Sequence, residues 1–478
     1  MDLYLTADDH RRGLARAIYE QIREAIAEGR VRPGDRLPPS RDLARQLGVS
    51  RFTVTTAYGF LAAEGFIQGA TGGGTRICAV RPPSSIARAR TAEAPLAARV
   101  PRLPPAAPDS PPASGEPMLH VRLGVPDAAL FPFTDWRRHT FRAMRTLRGA
   151  RPAYGDAAGD PKLRTAIADW IHRSRGVRTH ADRIVVTAGA QQAFDLILGA
   201  LVQPGDPVAV EDPGYPPFRK LAQFRGAKVV PVPVDDEGLV TSALPARAKL
   251  VYITPSHQFP RGSALSLARR RELLDWARRA GAHIVEDDYD SEYRFMDRPL
   301  EPLQRLDADE RVIYVGSFSK TLSPALRAGF VSAPPKLASA IAGLRQLVDW
   351  HSPEPLQLTL AGFLSDGSMD RHLRRARRIY RARHQAIADW CEGPGRSIGH
   401  LIRASAGLHV AIALHPTLDE FDLIERAAKA GLAVQGLSKF SIEATQRGLT
   451  LGYGSVSMPE LERALGILAA LARRRASR

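Results

Sequence analysis

The sequence predicts two folded units of different class: a small, mostly helical N-terminal module that ends in a β wing, and a large α/β domain with a smaller α+β subdomain. Three observations predict this division. Residues 1–80 hold helical patterns joined by a glycine-containing turn, residues 81–117 are rich in Pro, Ala and Arg, and residues 118–478 alternate short Val/Ile runs with helical patterns. The smaller subdomain is expected at about residues 340–478. A chain of 478 residues is also too long for one ordinary hydrophobic core.

The composition is that of a folded globular protein, with 44% hydrophobic and 24% charged residues. Its two cysteines, Cys78 and Cys391, are far apart and show no metal-ligand spacing, which is typical of a reducing compartment. No apolar run reaches membrane-spanning length and the acidic start is unlike a signal peptide, so we expect a cytoplasmic protein with no membrane partner. The net charge of +17 favours binding to polyanions in general. Residues 1–80, however, carry 11 Arg against 9 acidic residues, so charge does not identify which part of the chain would bind a polyanion.

The N-terminal module shows the order helix, helix, turn, helix and hairpin. Residues 14–26 carry apolar side chains at helical spacing, and Ser40 is a good cap for a second helix. Residues 48–50 form a tight glycine-containing turn before a third helix over residues 51–64, which is the signature of a helix-turn-helix. Two short strands then flank a triple glycine at residues 72–74. A glycine run can also bind phosphate, but no Gly-Lys-Ser/Thr follows it, which favours a hairpin turn.

A generic small helical domain is the alternative for this module, and three motifs favour a more specific one. Leu37–Ala44 (Leu-Pro-Pro-Ser-Arg-Asp-Leu-Ala), Gly48–Arg51 (Gly-Val-Ser-Arg) and Leu61–Ile67 (Leu-Ala-Ala-Glu-Gly-Phe-Ile) resemble the GntR-type winged helix along its full length. The resemblance implies double-stranded DNA as the partner, with arginines on phosphates or base edges and hydroxyl groups on the backbone. Phe52 departs from the Asn that this family often has at its position. The residues that the resemblance places at the DNA surface are Arg41, Ser50, Arg51, Thr53 and Thr55.

The Val/Ile runs of the large domain predict a mostly parallel sheet that is covered on both faces. Ligands bind at the carboxyl ends of the strands in such sheets, so the residues just after each run are the informative ones. The runs are residues 183–187, 207–210, 249–254, 283–286 and 312–315.

Lys320 follows the last of these runs and lies among small hydroxyl residues. Only eight of the 67 basic residues are lysines. Unlike arginine, lysine loses its proton at modest cost and attacks a carbonyl as an amine. A solvated loop lysine is the alternative, and this stretch alone does not decide between the two.

Three other strand ends carry candidate binding groups. Residues 188–191 open a helix whose backbone N–H groups suit a phosphate, although an ordinary capped turn has the same pattern. Tyr215 either stacks on a flat ring or belongs to a packed Gly-Tyr-Pro turn. Residues 286–290 hold four acidic side chains, which repel one another. A metal would explain them, but no His or Cys stands at ligand spacing, and a carboxylate that keeps a cofactor's ring nitrogen protonated explains them better.

Residues 312–330, around Lys320, resemble the cofactor-lysine motif of fold-type I pyridoxal-phosphate enzymes, in the form found in MocR-type regulators. These regulators join a GntR-type DNA-binding domain to an aminotransferase-like domain, and the resemblance covers almost the whole chain outside residues 80–117. Tyr154–Arg164 resembles an aminotransferase signature region. The resemblance implies that Lys320 forms a Schiff base with pyridoxal phosphate. The other cofactor contacts that it implies are Asp287 at the ring nitrogen, Tyr289 and His257 at O3′, Tyr215 over the ring, and Ala190, Gln191, Ser317, Ser319 and Arg327 around the phosphate.

The resemblance also implies a small effector, which is an amino acid, an amine or the cofactor itself. The family commonly presents an arginine to a substrate carboxylate, and the nearest match here is Lys439, a weaker clamp, with Arg403 as an alternative. Arg261 stands where the family usually has a small polar residue. Residues 81–117 form a semi-extended tether by composition, and the family's head-to-tail homodimer would place the DNA module on the other subunit's large domain.

The resulting hypothesis is a transcription regulator that binds pyridoxal phosphate on Lys320 and senses a small effector there. Its main rival is a catalytic aminotransferase with a vestigial DNA-binding module, which the pair Arg41 and Arg51 and the weak clamp at Lys439 argue against. A DNA-binding protein whose large domain uses no cofactor conflicts with the presence of Lys320 and Asp287.

Overall fold

The computed structural model describes residues 13–70, 74–79, 118–148, 153–295, 301–402, 404, 406–443 and 446–476. The chain divides into two compact units, Met1–Ala98 and Arg99–Arg478. The predicted linker, residues 81–117, and Arg403 lie outside the described residues, so the predicted domain limits stay predictions.

The N-terminal unit is a helix-turn-helix followed by a β-hairpin, as predicted. Its elements are α1 (Leu14–Ala27), α2 (Ser40–Leu47), α3 (Arg51–Ala63), β1 (Ile67–Ala70) and β2 (Gly74–Ile77). Helix α2 ends at Gly48, whose positive φ of 66° lets the chain turn sharply into α3. Ser50 caps α3, because its side chain accepts a hydrogen bond from the backbone N–H of Thr53. Val54 and Leu61 of α3 are fully buried in a core shared with α1, and β1 pairs antiparallel with β2.

The large unit alternates strands and helices before it becomes mainly helical. Its strands are β3 (Leu119–His120), β4 (Ile184–Thr187), β5 (Pro207–Asp212), β6 (Lys228–Asp235), β7 (Gly238–Leu239), β8 (Leu250–Ile253), β9 (His283–Asp288), β10 (Val312–Ser317), β11 (Gly329–Ser332), β12 (Gly399–Leu401), β13 (His409–Leu414), β14 (Leu432–Ala433), β15 (Gln435–Gly436) and β16 (Gly448–Gly452). Its helices are α4 (Phe133–Leu147), α5 (Pro161–Arg175), α6 (Ala190–Leu201), α7 (Pro216–Phe224), α8 (Leu267–Ala280), α9 (Leu303–Leu306), α10 (Pro335–Val348), α11 (Glu354–Ser365), α12 (Ser368–Glu392), α13 (Glu420–Lys429) and α14 (Met458–Ala476).

The main sheet confirms the predicted, mostly parallel arrangement. Within the described residues it has eight strands in the order β4-β11-β10-β9-β8-β5-β6-β7. The five central strands, β10, β9, β8, β5 and β6, run parallel to one another. Strand β11 is antiparallel to both β10 and β4, and β7 is antiparallel to β6. The carboxyl ends of β5, β8, β9 and β10 therefore lie at one edge of the sheet, which is where such sheets bind ligands.

Both faces of this sheet are covered, which explains the continuous apolar runs in the sequence. Side chains alternate between the two faces along each strand. Ile313 and Val315 of β10 pack in one cluster with Phe194 of α6, whereas Tyr314 packs in a different cluster with Trp170 of α5. A strand that is buried on both faces needs apolar residues at every position.

The C-terminal part of the large unit contains the predicted smaller α+β portion. Strands β12, β13, β16 and β15 form an antiparallel sheet in that order, which shares a hydrophobic core with α12, α13 and α14. Strand β3 pairs parallel with β14, so the start of the unit is joined to its C-terminal part. Across the described stretches, each helix is either too short or too polar to cross a membrane.

Candidate functional site

Lys320 lies just after the carboxyl end of β10, in the turn that leads to β11. Its Nζ approaches Gly124 closely, since a Cβ atom at residue 124 would lie 3.1 Å from it. Burial lowers the pKa of the Lys320 amine below its usual value, while the carboxylates of Asp290 and Asp287 act in the opposite direction. A larger neutral fraction makes this amine a better nucleophile at neutral pH than that of an exposed lysine.

Asp287 lies on β9, the strand next to β10, and its side chain is buried. Its Oδ2 accepts a hydrogen bond of 2.6 Å from the Tyr252 hydroxyl, whereas its buried Oδ1 has no partner among the described residues. Burial raises the pKa of Asp287 to about 7, and the bond from Tyr252 opposes that rise. A buried carboxylate oxygen without a donor costs free energy, so this position suits a bound group that brings an N–H.

The neighbouring acids of β9 have separate partners, because successive residues of a strand face opposite sides of the sheet. Asp288 accepts hydrogen bonds of 2.8 Å from Arg175 and 2.7 Å from Tyr314. Glu286 accepts from backbone N–H groups at the start of α9, and burial raises the pKa of Glu286 to about 7. The acidic cluster of the sequence is thus divided between the two faces of the sheet, with Asp287 on a different side from its two neighbours.

Tyr215 follows β5 at the same edge of the sheet and immediately precedes α7. Its ring stacks near that of Tyr252, with centroids 6.5 Å apart, and meets the Phe259 ring edge-on at 5.4 Å. Burial raises the pKa of Tyr215 to about 12, and the charge of Asp287 adds to that rise. A neutral aromatic ring therefore stands near the Asp287 carboxylate.

A candidate anion site lies where β4 leads into α6. Arg327 has a positive φ of 47°, and its Nη2 donates a hydrogen bond of 2.9 Å to the Ala188 carbonyl. A Cβ atom at Gly189 would lie 3.0 Å from that Nη2, so the glycine allows the guanidinium to come close. Helix α6 begins at Ala190 and Gln191 without a side-chain cap, which leaves its first N–H groups available. A guanidinium beside an open helix N-terminus attracts a phosphate.

Ser317 and Ser319 lie beside this helix start. Ser317 pairs with Gly329 of β11, and Gly329 pairs with Thr187, the last residue of β4. Both serines are buried, and the Ser319 N–H donates a hydrogen bond of 3.1 Å to Ser317 Oγ. The strand order thus places the two predicted serines near the predicted arginine.

Tyr289 and His257, which are both predicted at O3′, belong to a cluster that also contains Asp290 and His409. Its hydroxyl donates to the His257 carbonyl at 2.8 Å and lies 3.0 Å from His257 Nδ1. That Nδ1 lies 2.9 Å from Asp290 Oδ1 and carries the proton, since a carboxylate only accepts. His409 packs on His257, with ring centroids 4.6 Å apart, and neither of its nitrogens has a partner among the described residues. Burial lowers the pKa of His409 well below its usual value, and His257 and Lys320 act in the same direction.

No histidine stands at ligand spacing beside the acidic cluster in the sequence, yet the fold brings two histidines close to Asp290. Ligand atoms of His257, Asp290 and His409 lie within 4.8 Å of one another, although the residues come from distant parts of the chain. The geometry between His257 and Asp290 is that of a hydrogen bond. The sequence signal that could have identified His409 is a lone histidine at the start of the apolar run of β13.

The residues predicted for an effector are less well placed. Lys439 is exposed, on the short 3-10 helix Leu437–Phe440. Arg403 lies outside the described residues. Arg261 is buried and pairs with Asp236, at 2.6 Å between Nη2 and Oδ1. The arginine that departs from the family pattern thus has an acidic partner of its own.

The five residues predicted at the DNA surface gather at the N-terminal ends of α2 and α3. Arg51 Nε donates a hydrogen bond of 3.4 Å to Ser40 Oγ at the start of α2. The side chains of Arg41 and Arg51 are both exposed. The hydroxyl groups have partners within the unit. Ser50 Oγ lies 2.8 Å from Thr53 Oγ1, and Thr55 Oγ1 donates to the Arg51 carbonyl.

Comparison with known proteins decides the family. The model of bacterial regulatory proteins of the gntR family matches residues 14–77, and that of aminotransferase class I and II matches residues 121–466. The probable rhizopine catabolism regulatory protein MocR of Rhizobium meliloti is 36% identical over 450 residues, 92% of this chain and 90% of that protein. The chain belongs to the MocR-type regulators. The HTH-type pyridoxine biosynthesis transcriptional regulator PdxR of Corynebacterium glutamicum, 35% identical over 91% of each chain, agrees with this.

The large unit of this MocR-type regulator has the fold of pyridoxal-phosphate aminotransferases. Pyrococcus horikoshii kynurenine aminotransferase, in a complex with PMP, matches with a TM-score of 0.70 at 25% identity, over 76% of this chain and 92% of that one. The α-aminoadipate aminotransferase LysN of Thermus thermophilus matches with a TM-score of 0.68 at 27% identity, over 75% of this chain and 93% of that one. Pyridoxal phosphate is therefore the cofactor of this domain.

The side chains at the sheet edge fit this cofactor. The unpartnered Oδ1 of Asp287 suits a protonated ring nitrogen, and the Lys320 amine suits an aldehyde carbon. Arg327 and the open start of α6 suit a phosphate dianion. The MocR-type regulator thus has a chemically complementary group for each part of the cofactor.

Proposed function

We propose that this MocR-type regulator changes its affinity for DNA in response to a small effector that binds at the cofactor on Lys320. The observation that carries the proposal is the free, buried Oδ1 of Asp287, at the same sheet edge as an amine of lowered pKa. The same chain carries a helix-turn-helix with exposed Arg41 and Arg51. In this proposal the protein acts in the cytoplasm, where it has access to DNA.

Each predicted cofactor residue has a role in this proposal. When bound, the cofactor supplies an electron sink for bonds at the effector's amino-bearing carbon. Lys320 supplies the amine that holds it, Asp287 keeps its ring nitrogen protonated, and Tyr215 covers its ring. Tyr289 and His257 contact the ring oxygen O3′. The phosphate is held by Arg327, Ser317, Ser319 and the N–H groups of Ala190 and Gln191.

The effector is proposed to be an amino acid, an amine or the cofactor itself. One relative is named for rhizopine catabolism and another for pyridoxine biosynthesis. The first name supports an effector that the cell breaks down, and the second supports the cofactor itself as the effector. Lys439 and Arg403 are proposed as partners of an effector carboxylate. Since Lys439 is exposed, solvent would screen its charge, and the affinity for a carboxylate effector would be modest.

A homodimer is also proposed. Helix α4 carries the large apolar side chains Phe133, Phe141 and Met144, which are 70%, 65% and 53% exposed. Their spacing puts them on one face of the helix. An apolar face of this kind is typical of a surface that a partner covers, and the family's head-to-tail dimer supplies a second copy of the chain as that partner.

The first test is the visible absorption spectrum of the purified protein titrated with pyridoxal phosphate. We expect an absorption band that Lys320→Ala lacks and that Lys336→Ala keeps, because Lys336 is an exposed lysine of α10. The second test measures DNA binding by fluorescence anisotropy with and without the cofactor, across amino acids and amines. Equal DNA affinity under all these conditions would contradict the proposed sensing.

Catalytic transamination is the second candidate function. The fold of the large unit and the lowered pKa of Lys320 favour it. Steady turnover of an amino acid with a keto acid, abolished in Lys320→Ala, would establish it.

A further inference from the structure

Phe52 is a large apolar side chain at the start of α3 that is 80% exposed. Helix α3 buries Val54, Ala57 and Leu61 against the rest of the N-terminal unit, so Phe52 is not part of its core. Single exposed apolar residues are common, but this one is the second residue of the second helix of a helix-turn-helix. Residues at that place contact base edges in the major groove.

One side of the surface next to Phe52 is also apolar. Thr55 lies three residues further along α3 and is therefore a neighbour on the helix surface. Its hydroxyl donates to the carbonyl of Arg51 within the helix, which leaves the methyl group as the outward part of the side chain. Gly59, one turn further, has open space where a Cβ would stand. We call Phe52, Thr55 and Gly59 the apolar strip of α3.

The apolar strip is flanked by groups that suit phosphates. Arg51 and Arg41 are exposed, and the Arg51 guanidinium reaches the start of α2. Such groups fix the register of a helix on the duplex, and the side chains between them then read the bases. The strip itself presents carbon rather than hydrogen-bond donors.

One base offers an apolar group to such a strip. In the major groove the C5 methyl of thymine distinguishes it from the other bases, and apolar side chains such as Phe and the Thr methyl contact it. We propose that Phe52, together with the Thr55 methyl, reads thymine methyl groups in the major groove. An Asn at residue 52 would instead select adenine through its amide. This inference rests on DNA binding by the N-terminal unit.

The test removes single methyl groups from DNA. A DNA sequence is first selected from a randomised duplex library with the full-length protein. Each thymine of the selected duplex is then replaced by deoxyuridine, which lacks the C5 methyl and keeps all base-pair hydrogen bonds. Binding is measured by fluorescence anisotropy at one fixed salt concentration, because phosphate contacts depend strongly on salt.

We expect that replacing thymine with deoxyuridine at one or two positions in each half of the selected duplex weakens DNA binding. The expected loss is about fourfold for each replacement, which corresponds to one buried methyl group. In Phe52→Ala the same replacements should have no further effect, while Phe52→Leu should keep most of the sensitivity. Arg51→Ala is the matched control, and it should weaken binding to the thymine and deoxyuridine duplexes by the same factor. Circular dichroism of Phe52→Ala should match that of the parent, because the side chain is largely exposed.

Three results would overturn the inference. If the parent and Phe52→Ala respond equally to every deoxyuridine, Phe52 reads no thymine methyl, although DNA binding stands. If Phe52→Ala instead changes the oligomeric state with no change in deoxyuridine sensitivity, the side chain contacts protein. If the library yields no preferred duplex at all, both this inference and the proposed control of DNA binding fail.

Discussion

Replacing Tyr252 with phenylalanine should remove one hydrogen bond from the cofactor-facing carboxylate and leave the packing intact. The bond joins the Tyr252 hydroxyl to Asp287 Oδ2 over 2.6 Å, and both groups are buried. The Tyr252 ring stacks on Phe218 with centroids 4.0 Å apart, and a phenyl ring makes the same contact. The substitution therefore perturbs the charge state of Asp287 more than the core.

The expected magnitude follows from the charge on the acceptor. A hydrogen bond to a charged group contributes about 1.5–3 kcal/mol. Its loss raises the pKa of Asp287, which burial already raises to about 7. Protonated Asp287 lacks the negative charge that pairs with a protonated ring nitrogen, so binding of pyridoxal phosphate weakens where the acid is protonated. At pH about 7 we expect the affinity of Tyr252→Phe to be about tenfold lower than that of the parent, and the two should converge at higher pH.

The assay is a titration with pyridoxal phosphate, followed by absorption, at a series of pH values. Tyr314→Phe is the matched control, because the Tyr314 hydroxyl donates over 2.7 Å to Asp288, which has no proposed cofactor contact. An affinity loss that is the same at every pH would refute the protonation argument. An equal loss in Tyr314→Phe would refute the assignment of Asp287 to the ring nitrogen.

Three further predictions concern other parts of the chain. Gly59→Ala should stabilise the N-terminal unit by about 1 kcal/mol, because alanine favours a helix and the added Cβ has no neighbour within the unit. It should nevertheless weaken DNA binding, because the added methyl group would occupy the open space in the apolar strip of α3. Gly343 of α10 is equally open, and Gly343→Ala should leave DNA binding unchanged in the same anisotropy assay. Burial raises the pKa of Glu211 to about 8, so the folded chain holds a proton that the unfolded chain releases above its usual value of 4.5. The free energy of unfolding of the cofactor-free protein should therefore fall by up to about 1.4 kcal/mol per pH unit as pH rises toward about 8, and Glu211→Gln should flatten this slope in urea titrations. Gly189→Ala should displace the Arg327 guanidinium and lower the affinity for pyridoxal phosphate. Inorganic phosphate should then compete less well with pyridoxal phosphate for the site, and unchanged competition would contradict the proposed phosphate site.

Local sequence patterns determined the elements and several of the candidate residues. Ser50 as a cap, Gly48 as a turn residue and the Val/Ile runs are local signals, because capping, left-handed turns and strand burial depend on a few neighbouring residues. The order of those runs also placed Lys320, Asp287 and Tyr215 at strand ends, since parallel strands share one edge for their carboxyl ends.

Only the tertiary structure decided which partners these side chains have. The alternation of β9 turns Asp288 toward Arg175 and Asp287 toward Tyr252 on the opposite face, a division that four acids within five residues of sequence do not reveal. His409 reaches His257 because β13 of the smaller portion packs beside the main sheet's edge, and linear spacing carries no information about such a contact. Hydrogen bonding and burial act through space, so the chemistry of the site depended on strand order and packing, whereas the identity of its elements depended on the chain alone.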